Sequence, residues 1–114
     1  MIAHGVGEIG YFQLNNLVQN KVPFTLLLID LSQEMTQAIP TEEAVARVMK
    51  SGKMVSSQEF HSVVESLNLA LEYPFVLVCA DGINSLSLAK QLMEKGFKNV
   101  YCIRGGLKAL KSNS

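Results

Sequence analysis

Cys79 is the residue of this chain best placed to do chemistry. It follows Phe75–Val78, an apolar run of strand formers with the pattern of a strand buried on both faces. Ser85 is a good helix N-cap, and apolar residues recur behind it at the helical interval until Gly96. A helix starting there would turn its free N–H groups and positive dipole end towards the cysteine. The pattern therefore predicts a thiolate nucleophile, or a site for a persulfide or an oxyanion.

The second cysteine and the histidines suggest no further chemistry. Cys102 lies in the predicted last strand, where a buried, inert thiol is the main expectation. If that strand lies near the loop, Cys102 could instead act as a resolving thiol for Cys79. The chain has no Cys-x-x-Cys pair, and His4 and His61 form no ligand cluster. We therefore expect neither a bound metal nor a cofactor.

Strands and helices alternate along the chain. Apolar runs predict strands at Phe24–Leu31, Phe75–Cys79 and Asn99–Ile103. Helical spacing predicts helices at Tyr11–Asn20, from Thr41, from Ser56 or Ser57, and after Ser85. The alternation predicts an α/β fold, a three-layer structure in which a parallel sheet is flanked by helices on both faces. Ligands in such sheets bind beyond the carboxyl ends of the strands, which is where Asp30 and Cys79 fall.

Composition limits the classes of function. The chain has 114 residues and 48% hydrophobic content, enough for one domain over residues 1–114 without disulfide support. Ten basic and ten acidic residues give a formal net charge of +0, so neither nucleic acid nor an anionic membrane is an expected partner. The apolar stretches are strand-sized, below the roughly 20 residues of a membrane helix. The first residues lack the pattern of a secretion signal, so we expect a cytoplasmic protein.

The stretch from Pro74 to Gly106 resembles the active-site region of rhodanese-like domains. In that family a strand leads to a cysteine, a six-residue loop ending in Arg, then Ser and a helix; here the loop reads CADGIN and Ser85 follows. The helix end, last strand and closing glycine pair of the family are matched by Gly96-Phe97, Asn99-Val100-Tyr101 and Gly105-Gly106. Weaker upstream matches are Leu28-Ile29-Asp30 and Ile39-Pro40, so the similarity covers nearly the whole chain.

The resemblance implies a sulfurtransferase. Catalytic Cys79 would carry sulfane sulfur as a persulfide and pass it to a thiophilic acceptor such as a thiol. The donor would be a small sulfur compound or a protein-borne persulfide. The substrate-binding loop implied by the match comprises Ala80, Asp81, Gly82, Ile83, Asn84 and Ser85. Asp30 would support the site from the neighbouring strand end.

Two loop residues depart from the family pattern. Asn84 stands where the loop commonly ends in Arg, and it brings no positive charge. Asp81 adds a negative charge, which would oppose a thiolate and repel thiosulfate if its carboxylate points inward. Arg104, beside the glycine pair, could compensate if its side chain enters the loop.

These departures keep other interpretations open. The alternative to a sulfurtransferase is a catalytically inactive rhodanese-like module that binds a protein partner or senses redox state. Phosphate or arsenate chemistry, run by phosphatases that share the fold, would require a roomier loop and an arginine. A simply buried, unreactive Cys79 would be preferred for an isolated cysteine, but the loop, helix start and matched motifs favour a functional one.

Overall fold

A parallel sheet organises the part of the chain that the computed structural model describes, namely residues 7–32, Arg47, Met49 and residues 51–108. Five strands form it in the order β1-β5-β4-β2-β3. They are β1 (Gly7–Ile9), β2 (Thr25–Ile29), β3 (Lys53–Val55), β4 (Phe75–Val78) and β5 (Val100–Ile103). The helices are α1 (Tyr11–Gln19), α2 (Phe60–Leu67) and α3 (Ile83–Glu94).

Strand β4 is the centre of the sheet. All four of its residues are completely buried, and β2 and β5 pair with it in parallel on its two sides. Leu77 is in register with Leu27 of β2 and with Cys102 of β5. An apolar residue at every position is what a strand covered on both faces requires, because each side chain enters a core.

Each face of the sheet carries its own core. On one face, Leu14 of α1 and Met49 pack with Leu28, Val76 and Ile103. On the other face, α2 and α3 contribute Phe60, Val64, Ala89 and Leu92, which pack with Leu27, Phe75 and Leu77. The predicted three-layer α/β fold is therefore confirmed.

The two outer strands were not predicted. β3 has three residues, of which only Val55 is buried, so its sequence shows neither an apolar run nor a clear alternation. β1 is equally short and begins at Gly7, where a Cβ atom would lie 2.6 Å from the Tyr101 ring. Such short edge strands are held by pairing with a neighbouring strand rather than by local preference.

The first predicted helix agrees with the structure, whereas the second begins later than predicted. The first helix matches Tyr11–Asn20 to within one residue, and its Phe12 is 71% exposed. The second helix begins at Phe60, after a turn in which Ser56 Oγ accepts a hydrogen bond from the Glu59 N–H at 3.2 Å. The helix predicted from Thr41 and the Ile39-Pro40 match lie outside the described residues. None of the described helices is long and apolar enough to cross a membrane.

Candidate active site

Cys79 lies where parallel sheets bind ligands. It directly follows β4 at the carboxyl edge and is only 2% exposed. The helix behind it starts earlier than predicted, at Ile83, with Gly82 as its N-cap at φ +88°. Ser85 as N-cap is therefore wrong: it lies in the first helical turn, completely buried. The left-handed backbone of Gly82 turns the chain into the helix before Ser85 is reached.

Two backbone N–H groups and one hydroxyl surround the sulfur of Cys79. The N–H groups of Gly82 and Ser85 donate to Sγ at 3.1 and 3.3 Å. The Ser85 hydroxyl lies 3.3 Å from Sγ, accepting from the thiol or donating to a thiolate. Donors at the positive end of α3 stabilise an anionic sulfur. The helix start thus directs two backbone N–H groups at the sulfur of Cys79.

Asp81 acts in the opposite direction. Asp81 is exposed, but its carboxylate lies beside the sulfur: Oδ1 accepts the Ile83 N–H at 3.0 Å and lies 3.8 Å from Cys79 Sγ. A negative charge at this distance repels an anion that approaches the sulfur. The carboxylate also occupies one of the N–H groups at the helix start that an oxyanion could use. Within the described part of the chain, the Asn84 N–H meets no hydrogen-bond acceptor.

The glycine pair after β5, and the two residues that follow it, contact the backbone of the loop directly. Leu107 N–H donates to Cys79 O at 2.8 Å, and Lys108 N–H donates to Ala80 O at 3.2 Å. A Cβ atom on Gly106, which has φ +64°, would fall on the Cys79 carbonyl oxygen and lie 2.5 Å from Gly82 N. Glycine is required at this position because the loop backbone touches it directly.

The outer side of the loop is uncharged apart from Asp81. Ala80 is half-buried, Ile83 is 69% exposed and Asn84 is exposed. The guanidinium of Arg104 donates to the carbonyl oxygen of Glu8 at 3.4 Å. It is therefore directed at β1 and does not replace the missing loop arginine.

Asp30 supports a neighbouring loop rather than the sulfur. It follows β2 with φ +55°, and its carboxylate accepts hydrogen bonds from the Ser57 N–H, at 3.0 Å, and from the Ser57 hydroxyl. These bonds to Ser57 lower the pKa of Asp30. Asp30 thus connects the end of β2 to the segment between β3 and α2, on the same edge as Cys79.

Cys102 is a buried thiol in the sheet, in register with Leu77 and Glu8. Burial raises the pKa of Cys102 to about 11, the negative charges of Glu8 and Cys79 add to this, and Arg104 opposes it. The thiol therefore stays neutral at physiological pH, as an inert core residue would. No group of three or more potential metal ligands occurs among the residues described here.

The raised pKa of Cys102 predicts alkaline destabilisation. Between its ordinary value of 9.0 and about 11, the unfolded thiol ionises while the folded one stays protonated. Stability is therefore fully present below pH 9 and falls as pH rises towards 11, by on the order of 1–2 kcal/mol. Urea unfolding across this range, in a Cys79→Ala background, measures the fall. Adding Cys102→Ala should remove that component; an identical pH slope with and without Cys102 would contradict the assignment.

Comparison with known proteins places this geometry in a family. The family model of the rhodanese-like domain matches residues 19–113. Thiosulfate sulfurtransferase GlpE of Coxiella burnetii is 33% identical over 72 residues, 63% of this chain and 62% of that protein. Its counterpart in Pseudomonas entomophila is 42% identical over 53 residues, 46% of this chain and 49% of that one. The matched segments thus span less than two thirds of these curated relatives.

Solved structures agree on the fold. The polysulfide-sulfur transferase homodimer of Wolinella succinogenes superposes with a TM-score of 0.69 at 20% identity, covering 95% of this chain and 74% of that one. A rhodanese-like domain protein of Staphylococcus aureus gives 0.67 at 18% identity, covering 92% and 91%. Since the family model spans most of the sequence, the chain belongs to the rhodanese-like domain family.

Proposed function

We propose that this protein is a sulfurtransferase that carries sulfane sulfur as a persulfide on Cys79 and delivers it to a thiol. The observation that carries the proposal is the convergence of two backbone N–H groups and the Ser85 hydroxyl on Sγ. The names of the GlpE relatives support the same class of reaction. We expect the protein to act in the cytoplasm.

The reaction has two displacements. The Cys79 thiolate attacks the outer sulfur of the donor, a new S–S bond forms, and the donor group leaves with the electron pair of the broken bond. The Gly82 and Ser85 N–H groups hold the inner sulfur, and the unpaired Asn84 N–H is available to the outer one. An acceptor thiolate then attacks the outer sulfur, and Cys79 departs as a thiolate stabilised by the same donors.

Mass spectrometry tests the proposal directly. Exposure to a sulfane-sulfur donor is expected to add the mass of one sulfur atom to the intact chain. Peptide mapping should place it on Cys79, and cyanide should remove it. Cys102→Ala is the matched control, since it removes a thiol that lies in the sheet and should leave loading intact. Cys79→Ala should take up no sulfur.

A noncatalytic module is the alternative, favoured by the Asp81 carboxylate 3.8 Å from Sγ and by the burial of Cys79. It predicts a folded protein that takes up no sulfur from any donor and alkylates slowly at Cys79. It also predicts that Cys79→Ala leaves partner binding unchanged. That combination of results would overturn the sulfurtransferase proposal.

A further inference from the structure

We propose that the sulfur donor is a persulfide that reacts in its neutral form, R–S–SH, carried by a small thiol or a protein, and that Asp81 with Asn84 selects it against a dianionic donor such as thiosulfate. This inference rests on the proposed function of Cys79 and specifies its substrate. It differs from what the names of the GlpE relatives suggest for their own donor.

The carboxylate of Asp81 is a fixed anion inside the loop. Its bond to the Ile83 N–H, at 3.0 Å, holds Oδ1 in place 3.8 Å from Sγ. A donor whose sulfur reaches Sγ must therefore come close to this charge. A dianion is repelled by it, whereas a neutral donor is not. Because the Ile83 N–H is already bonded to Asp81, it is not available to bind an oxygen of thiosulfate.

The loop offers no compensating side-chain cation. The position of the usual arginine holds neutral Asn84, and Arg104 is bonded to the Glu8 carbonyl oxygen. The backbone N–H of Lys108 donates a hydrogen bond to the carbonyl oxygen of Ala80 in the loop. The positive charge of the Lys108 side chain would favour anionic donors. The dependence of the loading rate on ionic strength shows whether these charges together attract or repel an anion at Sγ.

A neutral persulfide also satisfies the chemistry. Cys79–S⁻ attacks the outer sulfur of R–S–SH, the S–S bond of the donor breaks with its electron pair going to R–S⁻, and the proton of the outer sulfur passes to the departing R–S⁻. The products are Cys79–S–S⁻ and R–SH, and one negative charge is conserved. With thiosulfate, four negative charges would meet in the loop before sulfite leaves: two on the donor, one on the Cys79 thiolate and one on Asp81. The exposed Ile83 gives an apolar R group a surface to contact.

The test compares two donors across ionic strength. Sulfur loading on Cys79 is timed by quenching, alkylation and mass spectrometry, with thiosulfate and with benzyl persulfide. We expect benzyl persulfide to load the wild type faster. Loading from thiosulfate, a dianion, should accelerate strongly as salt screens the repulsion, while loading from benzyl persulfide, which carries at most one negative charge, should change much less.

Charge variants isolate the loop. Asp81→Asn keeps a side-chain oxygen for the Ile83 N–H and removes the charge, so the rate ratio of thiosulfate to benzyl persulfide should rise about tenfold. Asn84→Arg should raise that ratio by a similar factor, about tenfold, by adding a cation. Glu94→Gln makes the same charge change as Asp81→Asn at the far end of α3 and should leave the ratio unchanged.

The outcomes separate the two proposals. Equal wild-type loading from both donors, with a ratio unmoved by Asp81→Asn, overturns donor selection and leaves persulfide chemistry at Cys79 standing. Loading from neither probe overturns both. If Cys79 is loaded faster from benzyl persulfide than from thiosulfate, a third donor, persulfidated serum albumin, distinguishes the two sources. Faster loading from albumin than from benzyl persulfide supports a protein-borne donor. The reverse order supports a small-thiol donor.

Discussion

Alanine at Gly106 is expected to unfold the active-site loop and to cost about 3 kcal/mol or more of the free energy of unfolding. The added methyl would fall on the Cys79 carbonyl oxygen and lie 2.5 Å from Gly82 N. Both are backbone atoms, so neither can move aside as a flexible side chain would. Urea unfolding followed by circular dichroism measures the loss, and sulfur loading on Cys79 should fall with it.

Gly96→Ala is the matched control for this substitution. Gly96 also has a positive φ, +106°, but a Cβ there would make an ordinary contact with Leu71 at 3.5 Å. Its cost should therefore be limited to backbone strain, about 1–2 kcal/mol. If the two alanine variants proved equally unstable, the collision with the loop would not be the reason Gly106 is required.

The second large effect concerns the nucleophile. Replacing Cys79 by Ser is expected to reduce sulfur transfer at least ~10³-fold, because a serine hydroxyl is not ionised by this environment and cannot carry a persulfide. The free energy of unfolding should change little, since the hydroxyl can accept the same Gly82 and Ser85 N–H groups. Steady-state kinetics and urea unfolding of the same preparation separate the two effects.

Sulfur-transfer activity that remains in the Cys79→Ser variant would show that Cys79 is not the nucleophile. Cys102→Ser cannot serve as the control here, because it would bury an unpaired hydroxyl in the sheet; Cys102→Ala avoids that cost. If Cys79→Ser kept most of the wild-type turnover while Cys102→Ala lost it, the assignment of Cys79 as nucleophile would have to be abandoned.

Central parts of the fold could be predicted from the sequence because their signals are local. β4 is a continuous apolar run ending at a cysteine, and α3 has a helical stripe that Gly96 terminates. β1 and β3 could not be predicted, because each is three residues long and depends on its partner strand. The sheet order also depends on contacts between segments far apart in sequence.

The sequence predicted which residues form the site better than it predicted how they are arranged. Cys79 and the loop after it were located from the strand, the helix and the family match, but the helix N-cap was placed three residues late, at Ser85 instead of Gly82. A usable signal was present: Asp-Gly before Ile83 is a sequence in which the Asp side chain can accept the N–H two residues on. The direction of Arg104 depended on a tertiary contact with Glu8, which no single-sequence pattern encodes.

The bonds from Leu107 and Lys108 to Cys79 and Ala80 have a consequence for how the protein matures. Leu107 is made 28 residues after Cys79 during synthesis, and the glycine pair cannot reach the loop until β5 has docked between β1 and β4. The nascent nucleophile therefore emerges from the ribosome without its support. The arrangement of hydrogen-bonding groups around Cys79 should therefore be completed as one of the last events of folding.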